Sequence, residues 1–225
     1  MCKPSVITID GPAASGKSTL GALLALQLGY TYFDTGVLYR ALTYIALQRN
    51  VSTDDPRALA ELAYSLTLAV EAPTVDDGRQ YTVRADSEDI TWHLRGAQVE
   101  RHVSVVSAYP EVRTALREQQ RAIGRQGRVV MVGRDIGSVV MPDADFKVFL
   151  LATPEERARR RFEELQRRGR DVDYETVLRD LQRRDTLDKQ NTLQPHDAYV
   201  LNNDGLNPTD EVGHLMALFE RRRCA

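Results

Sequence analysis

Hydrophobic positions along the chain switch between two periods. Ser5-Val6-Ile7-Thr8-Ile9-Asp10 is a short, mostly apolar run of the kind that forms a buried strand. A glycine-bearing turn follows. From about Lys17, leucines at 20, 23, 24 and 28 recur at helical spacing and predict an amphipathic helix. Tyr30–Asp34 reads as a second strand and Val37–Gln48 as a second helix. Val129–Val132 and Phe146–Leu151 are two further buried strands. Thr153-Pro154-Glu155-Glu156 then sets a capping box with proline at the first helical position, opening a helix to about Arg168. Gly169-Arg170-Asp171 breaks it, and another helix covers Tyr174 to Asp185. Tyr199–Leu201 is a short last strand and Pro208–Arg222 a closing helix. Five strands alternating with helices predict a parallel sheet with helices on both faces.

The middle of the chain is patterned differently. Leu66–Glu71, Arg79–Ala85 and Asp89–Thr91 are short strand candidates, with the turn signal Asp76-Asp77-Gly78 between the first two. They predict a small antiparallel hairpin unit inserted into the α/β core, with helices around Gln98–Ala108 and Glu111–Ile123. The organisation expected is one α/β domain. Its core is residues 1–50, 125–156 and 190–225, with an inserted unit at 60–110 and a helical, arginine-rich lid at 157–190.

Composition narrows the class. The chain has 225 residues, 42% hydrophobic and 28% charged, as a globular domain has. No apolar run approaches the roughly 18 residues of a membrane span. Met1-Cys2-Lys3-Pro4 runs straight into the first strand, so no signal peptide is expected. Cys2 and Cys224 stand at opposite ends, unlike a disulfide framework. The expectation is a cytoplasmic protein, monomeric because no long apolar stripe asks for a partner. Net charge is −2, yet arginine outnumbers lysine 26 to 4, and Arg157–Arg184 holds ten arginines against six acids. That stretch has two readings: a solvated helical surface, or a basic flap over polyphosphate, whose oxygens match planar guanidinium groups. A chain this close to neutral with no stacking motif is not built for nucleic acid. His93, His102, His196 and His214 have no metal-ligand spacing.

The chemistry begins at Gly11-Pro12-Ala13-Ala14-Ser15-Gly16-Lys17-Ser18-Thr19, which fits G-x-x-x-x-G-K-[ST] with a strand before and a helix after. A triphosphate needs many donors at close range. Backbone N–H groups at a helix N-terminus supply them, and glycine lets the backbone approach. Lys17 suits the β- and γ-phosphates, and the Ser18 hydroxyl suits the Mg²⁺ that accompanies ATP. A GTPase would need N-K-x-D, and no asparagine precedes any lysine here. The small remaining class is the kinases, which pass the phosphoryl group to a second bound molecule.

Two further motifs follow predicted strands, where open α/β sheets bind ligands. They are Asp34-Thr35-Gly36-Val37-Leu38-Tyr39-Arg40 and Gly133-Arg134-Asp135-Ile136-Gly137-Ser138-Val139-Val140. With the phosphate loop and Arg184-Asp185-Thr186-Leu187-Asp188, they resemble the bacterial cytidylate kinases in order and over nearly the whole chain. That resemblance implies transfer of the γ-phosphoryl group of ATP to CMP or dCMP with Mg²⁺. It also implies roles for individual residues. Lys17, Arg134 and Arg184 would be catalytic. Thr35, Arg113 and Asp135 would read the cytosine, Arg40 and Arg134 hold the acceptor phosphate, and Ser104, Arg184 and Asp188 meet the ribose. Val132 stands where the family usually has an acid, and Leu187 and Asn191 where it often has arginine. Two other readings stay open: a kinase for UMP or AMP, and a nucleotide-binding regulatory module without turnover.

Overall fold

The computed structural model describes residues 4–221. Cys2, Cys224, Arg222 and the first three residues lie outside them. The elements run β1 (Val6–Asp10), α1 (Lys17–Leu28), β2 (Thr31–Asp34), α2 (Gly36–Gln48), α3 (Pro56–Ser65), β3 (Leu68–Glu71), β4 (Thr82–Ala85), β5 (Glu88–Asp89), α4 (Ala97–Val106), α5 (Pro110–Gly124), β6 (Val129–Val132), β7 (Phe146–Leu151), α6 (Pro154–Arg167), α7 (Tyr174–Asp188), β8 (Tyr199–Asn202) and α8 (Pro208–Arg221). Strands β2-β6-β1-β7-β8 form a five-stranded parallel sheet in that order. Strand β1 pairs with β7 from Ile7 against Phe146 to Asp10 against Phe149, and β7 pairs with β8 from Val148 against Tyr199 onward. Ile7, Thr8, Ile9 and all of β6 are buried, so both faces of these strands are covered, which is why β6 reads as an unbroken apolar run rather than an alternating one. The chain divides into two compact units, one of the residues up to Tyr30 with those from Val130 on, the other Thr31–Val129.

In the first unit, Leu20, Leu24 and Leu28 are buried along α1 as the spacing predicts, but Leu23 is exposed. The buried arc continues over Gly21 and Ala25 instead, two small residues that permit close packing, and Leu23 falls on its far edge. Thr153 caps α6 by accepting from the Glu156 N–H at 3.3 Å, the bond the capping box calls for. Helix α7 continues beyond Asp185 to Asp188, which places Arg184 and Asp188 one turn apart on a single helix.

In the second unit, β3, β4 and β5 form the antiparallel sheet, with Leu68 opposite Ala85 and Arg84 opposite Asp89. The strand expected from Arg79 starts only at Thr82. The Arg79 guanidinium holds Asp77 at 2.6 Å and Asp89 at 2.5 Å, which curls the chain there away from strand geometry. Helix α3 is not anticipated by the sequence reading. Its start is nevertheless well signalled: Asp55 accepts from the Arg57 and Ala58 N–H groups, Pro56 occupies the first position, and Leu59, Leu62 and Ala63 are buried.

Candidate active site

The phosphate loop leaves the end of β1, the middle strand of the sheet. Gly11 has φ 147°, and a Cβ there would lie 2.3 Å from the Leu150 carbonyl oxygen, so the loop presses against β7 as only glycine allows. Gly16, at φ 93°, turns the chain into α1. The first turn of α1 carries no acidic residue and no side-chain cap, leaving its N–H dipoles to an anion. Lys17 folds back to the Pro12 carbonyl at 2.5 Å and to Ser15 Oγ at 3.3 Å. Ser18 is exposed in the same turn.

The outward carbonyls of this loop are braced by side chains from later in the chain. Asn203 Nδ2 donates to the Ser15 carbonyl at 2.8 Å, and Arg157 Nη1 donates to the Ala13 carbonyl at 3.1 Å. Arg160 Nη2 in turn donates to the Asn203 carbonyl at 2.7 Å. Fixing the carbonyls outward fixes the N–H groups of the same peptides inward, which is the preorganisation a phosphate site needs.

Asp10, at the last position of β1, is fully buried. Its two carboxylate oxygens accept from the Ile136 and Gly137 N–H groups at 2.8 and 2.7 Å. They thereby cap a π-helical turn, Ile136–Val140, that carries the glycine-rich motif after β6. Such turns are rare and concentrate at functional sites. A methyl at Gly137 would meet Thr8 Oγ1 at 2.7 Å, so the turn packs directly on β1. Burial pushes the Asp10 carboxyl up to about 7, against the opposing pull of the two N–H bonds; the Asp135 charge adds to the rise, and Lys17 offsets part of it.

In the first unit, Arg134, Arg184 and Asp188 come together. Arg134, following β6, forms an ion pair with Asp188 on α7, and Arg184 Nε lies 3.6 Å from the same carboxylate. Asp135 is buried at the head of the π turn, its carbonyl accepting from Val139 and Val140. The second unit holds the other candidates. Thr35 sits buried at the N-cap of α2, but the side-chain bond to the turn comes from Asp34, which accepts from the Gly36 N–H at 3.0 Å. Arg40 is paired with Glu100 of α4 at 2.7 Å. Ser104 is exposed on α4, and Arg113 lies over the Tyr39 ring with 5.7 Å to its centre.

Sequence reasoning assigned no role to Asp10, Tyr39, Arg157 or Asn203. Asp10 was legible as the polar residue ending the first strand, and Tyr39 as the aromatic member of the Asp34–Arg40 motif. Nothing local marked Arg157 or Asn203. The arginine-rich helix also differs from a bare basic flap. Arg159, Arg160, Arg161 and Arg168 each pair with Glu156, Glu163 or Glu164 at helical spacing, and Arg157 is buried against Asp185.

A parallel sheet with a glycine-lysine phosphate loop at its central strand, and paired arginines beside the next strand end, defines a P-loop kinase. The cytidylate kinase family model matches residues 7–221. Cytidylate kinase from Herpetosiphon aurantiacus is 56% identical over 97% of this chain and 95% of its own length. Cytidylate kinase from Chloroflexus aggregans is 53% identical over 96% and 94%. The solved shikimate kinase from Bacteroides thetaiotaomicron aligns at 18% identity over 96% of this chain and 98% of its own, with a TM-score of 0.47. The chain belongs to the cytidylate kinase family and is an ATP-dependent kinase. Among the described residues, no helix is long and apolar enough to cross a membrane.

Proposed function

We propose that this chain moves the γ-phosphoryl group of ATP to CMP, giving CDP and ADP, and that dCMP is a second acceptor. Family membership supports the reading, and the observation that carries it is the cluster of Arg134, Arg184 and Asp188. Two guanidinium groups suit phosphate oxygens, and one carboxylate suits ribose hydroxyls. The loop Gly11–Thr19 takes the donor phosphates. The Ser18 hydroxyl, exposed in the first turn of α1, is a hard oxygen donor of the kind magnesium accepts, so Mg²⁺ fits here as the companion of ATP. When bound, it neutralises phosphate charge. The acceptor phosphate is itself the nucleophile, so no general base is required. Lys17, Arg134 and Arg184 offset the repulsion between the two phosphates, and Arg40 is assigned to the acceptor phosphate.

Arg113, Asp135 and Thr35 are assigned to the base. Cytosine offers an acceptor at N3 and a donor at its amine; an arginine only donates and an ionised aspartate only accepts. Uracil reverses both signs. Each unpaired buried group costs about 1–3 kcal/mol. Two mismatches predict that CMP is favoured over UMP by roughly 30-fold to 10⁴-fold in kcat/KM. The test is ADP release with CMP, dCMP, UMP and AMP as acceptors. Equal use of UMP or AMP overturns the base reading, and nucleotide binding with no acceptor-dependent ADP would make the chain a regulatory module. The same reading makes it a cytoplasmic monomer working on small molecules, with neither nucleic acid nor membrane as partner.

A further inference from the structure

Arg157 is the fourth residue of α6, and its side chain is only 4% exposed. A guanidinium taken out of water is costly unless its donors are met. Here they are, from three directions. Nε donates to the Ala152 carbonyl at 3.2 Å, at the end of β7. Nη1 donates to the Ala13 carbonyl in the phosphate loop at 3.1 Å. Nη1 and Nη2 grip the Asp185 carboxylate of α7 at 2.9 and 2.6 Å. A second observation joins the same parts. The Ala13 methyl is buried in one apolar cluster with Ala158 of α6 and Val177 and Leu181 of α7, with Phe162 and Leu178 packed around it. The phosphate loop is therefore linked to α7 through Arg157, which hydrogen-bonds the Ala13 carbonyl and ion-pairs with Asp185, and by a shared core. Asp185 directly follows Arg184 and stands three residues before Asp188 on the same helix.

From this we infer that Arg157 is a positioning residue that couples the donor loop to the acceptor residues of α7, so that filling one site favours the other. The inference rests on the assignment of Arg184 and Asp188 to the acceptor. Arg157 touches no reacting atom. It acts through the Ala13 peptide on one side and through Asp185 on the other. Lysine is a poor replacement, because a single ammonium cannot present the planar fork that meets Asp185 and Ala13 together.

Coupling of this kind is reciprocal and is read as a ratio of affinities. Binding of a non-hydrolysable ATP analogue is measured by calorimetry on the full chain, with and without saturating CMP. Wild type, Arg157→Lys and Asp185→Asn are compared, with Tm recorded for each. CMP is expected to tighten the analogue about fivefold or more in wild type and less than about twofold in both variants. The double variant should be no worse than either single one, since both break one link. Asp185→Asn covers the case in which Arg157→Lys folds poorly, because it leaves the bond to Ala13 in place. Variants that lose Tm but keep the wild-type ratio reduce Arg157 to a structural residue and overturn the proposal. A wild type showing no effect of CMP, while turning CMP over, overturns it as well. Whether CMP is the acceptor is decided separately by ADP release; if another nucleotide wins there, it replaces CMP in the binding experiment.

Discussion

Lys17 points its ammonium at the Pro12 carbonyl and the Ser15 hydroxyl, partners it can release to a phosphate. Its worth is therefore electrostatic rather than structural. Lys17→Ala is expected to lower kcat about 10²-fold or more while Tm stays close to wild type. A variant with wild-type turnover would remove the phosphate-loop assignment. Asp135→Asn adds a donor where uracil offers an acceptor, and should narrow the CMP-to-UMP gap in kcat/KM; an unchanged gap would free Asp135 of that role. Asp10 makes a prediction of different sign from most carboxylates. Its folded value of about 7 lies above its ordinary 3.8, so the folded protein holds the proton longer than the unfolded chain does. Stability from this group is present at low pH and falls as pH rises from about 4 towards 7, by an amount on the order of a few kcal/mol. Urea midpoints for wild type and Asp10→Asn, at several pH values, isolate the effect. The wild-type advantage over the variant should shrink as pH rises, and a pH-independent difference would show that burial does not govern Asp10.

Helices α6 and α7 belong together as an element, and their bonds suggest where motion starts. The base of α6 is held to the phosphate loop through Arg157 and Arg160, while the linking turn around Gly169 is exposed. Hydrogen exchange should be slow at the base and fast in the turn. The last turns of α7 should slow when an ATP analogue and CMP bind together; identical rates in free and bound protein would count against a closing lid. Arg184→Ala should lower activity more than Arg168→Ala, because Arg168, the residue just past α6, pairs with Glu164 one turn earlier and lies outside the motif that carries Arg184. Elements of this kind were legible wherever the signal is local. The capped start of α6, the glycine turn into α1 and the buried strands all follow from neighbours within four residues. Helix α3 was missed although Asp55-Pro56 announced it, because its buried face is short, two leucines and two alanines at Leu59, Ala60, Leu62 and Ala63, with Arg57, Glu61 and Tyr64 on the exposed face. The same locality limits the site. The family resemblance, carried by the quoted motifs, put Arg134, Arg184 and Asp188 among the candidates. By contrast, Arg157 meets Ala13 across 144 residues and Asp10 meets Ile136 across 126, and no periodicity reports such contacts.

At the scale of the whole molecule, the parallel sheet is what makes those separations necessary, since parallel neighbours need a crossover between them. The antiparallel sheet of the second unit pairs segments that are close in sequence, Leu68 with Ala85 and Ala85 with Glu88. Local pairing of that sort forms early, and distant pairing waits for its loop to close. Strand β1 lies under the phosphate loop, yet its partner β7 begins at Phe146. A ribosome adds roughly 5–20 residues per second, so β1 leaves the tunnel roughly 7 to 27 seconds before the strand that Gly11 must press against. During that interval the nucleotide cradle has a sequence but no shape. Thr31–Val129 emerges complete in the meantime, and the newborn chain acquires its grip on ATP only late in its own synthesis.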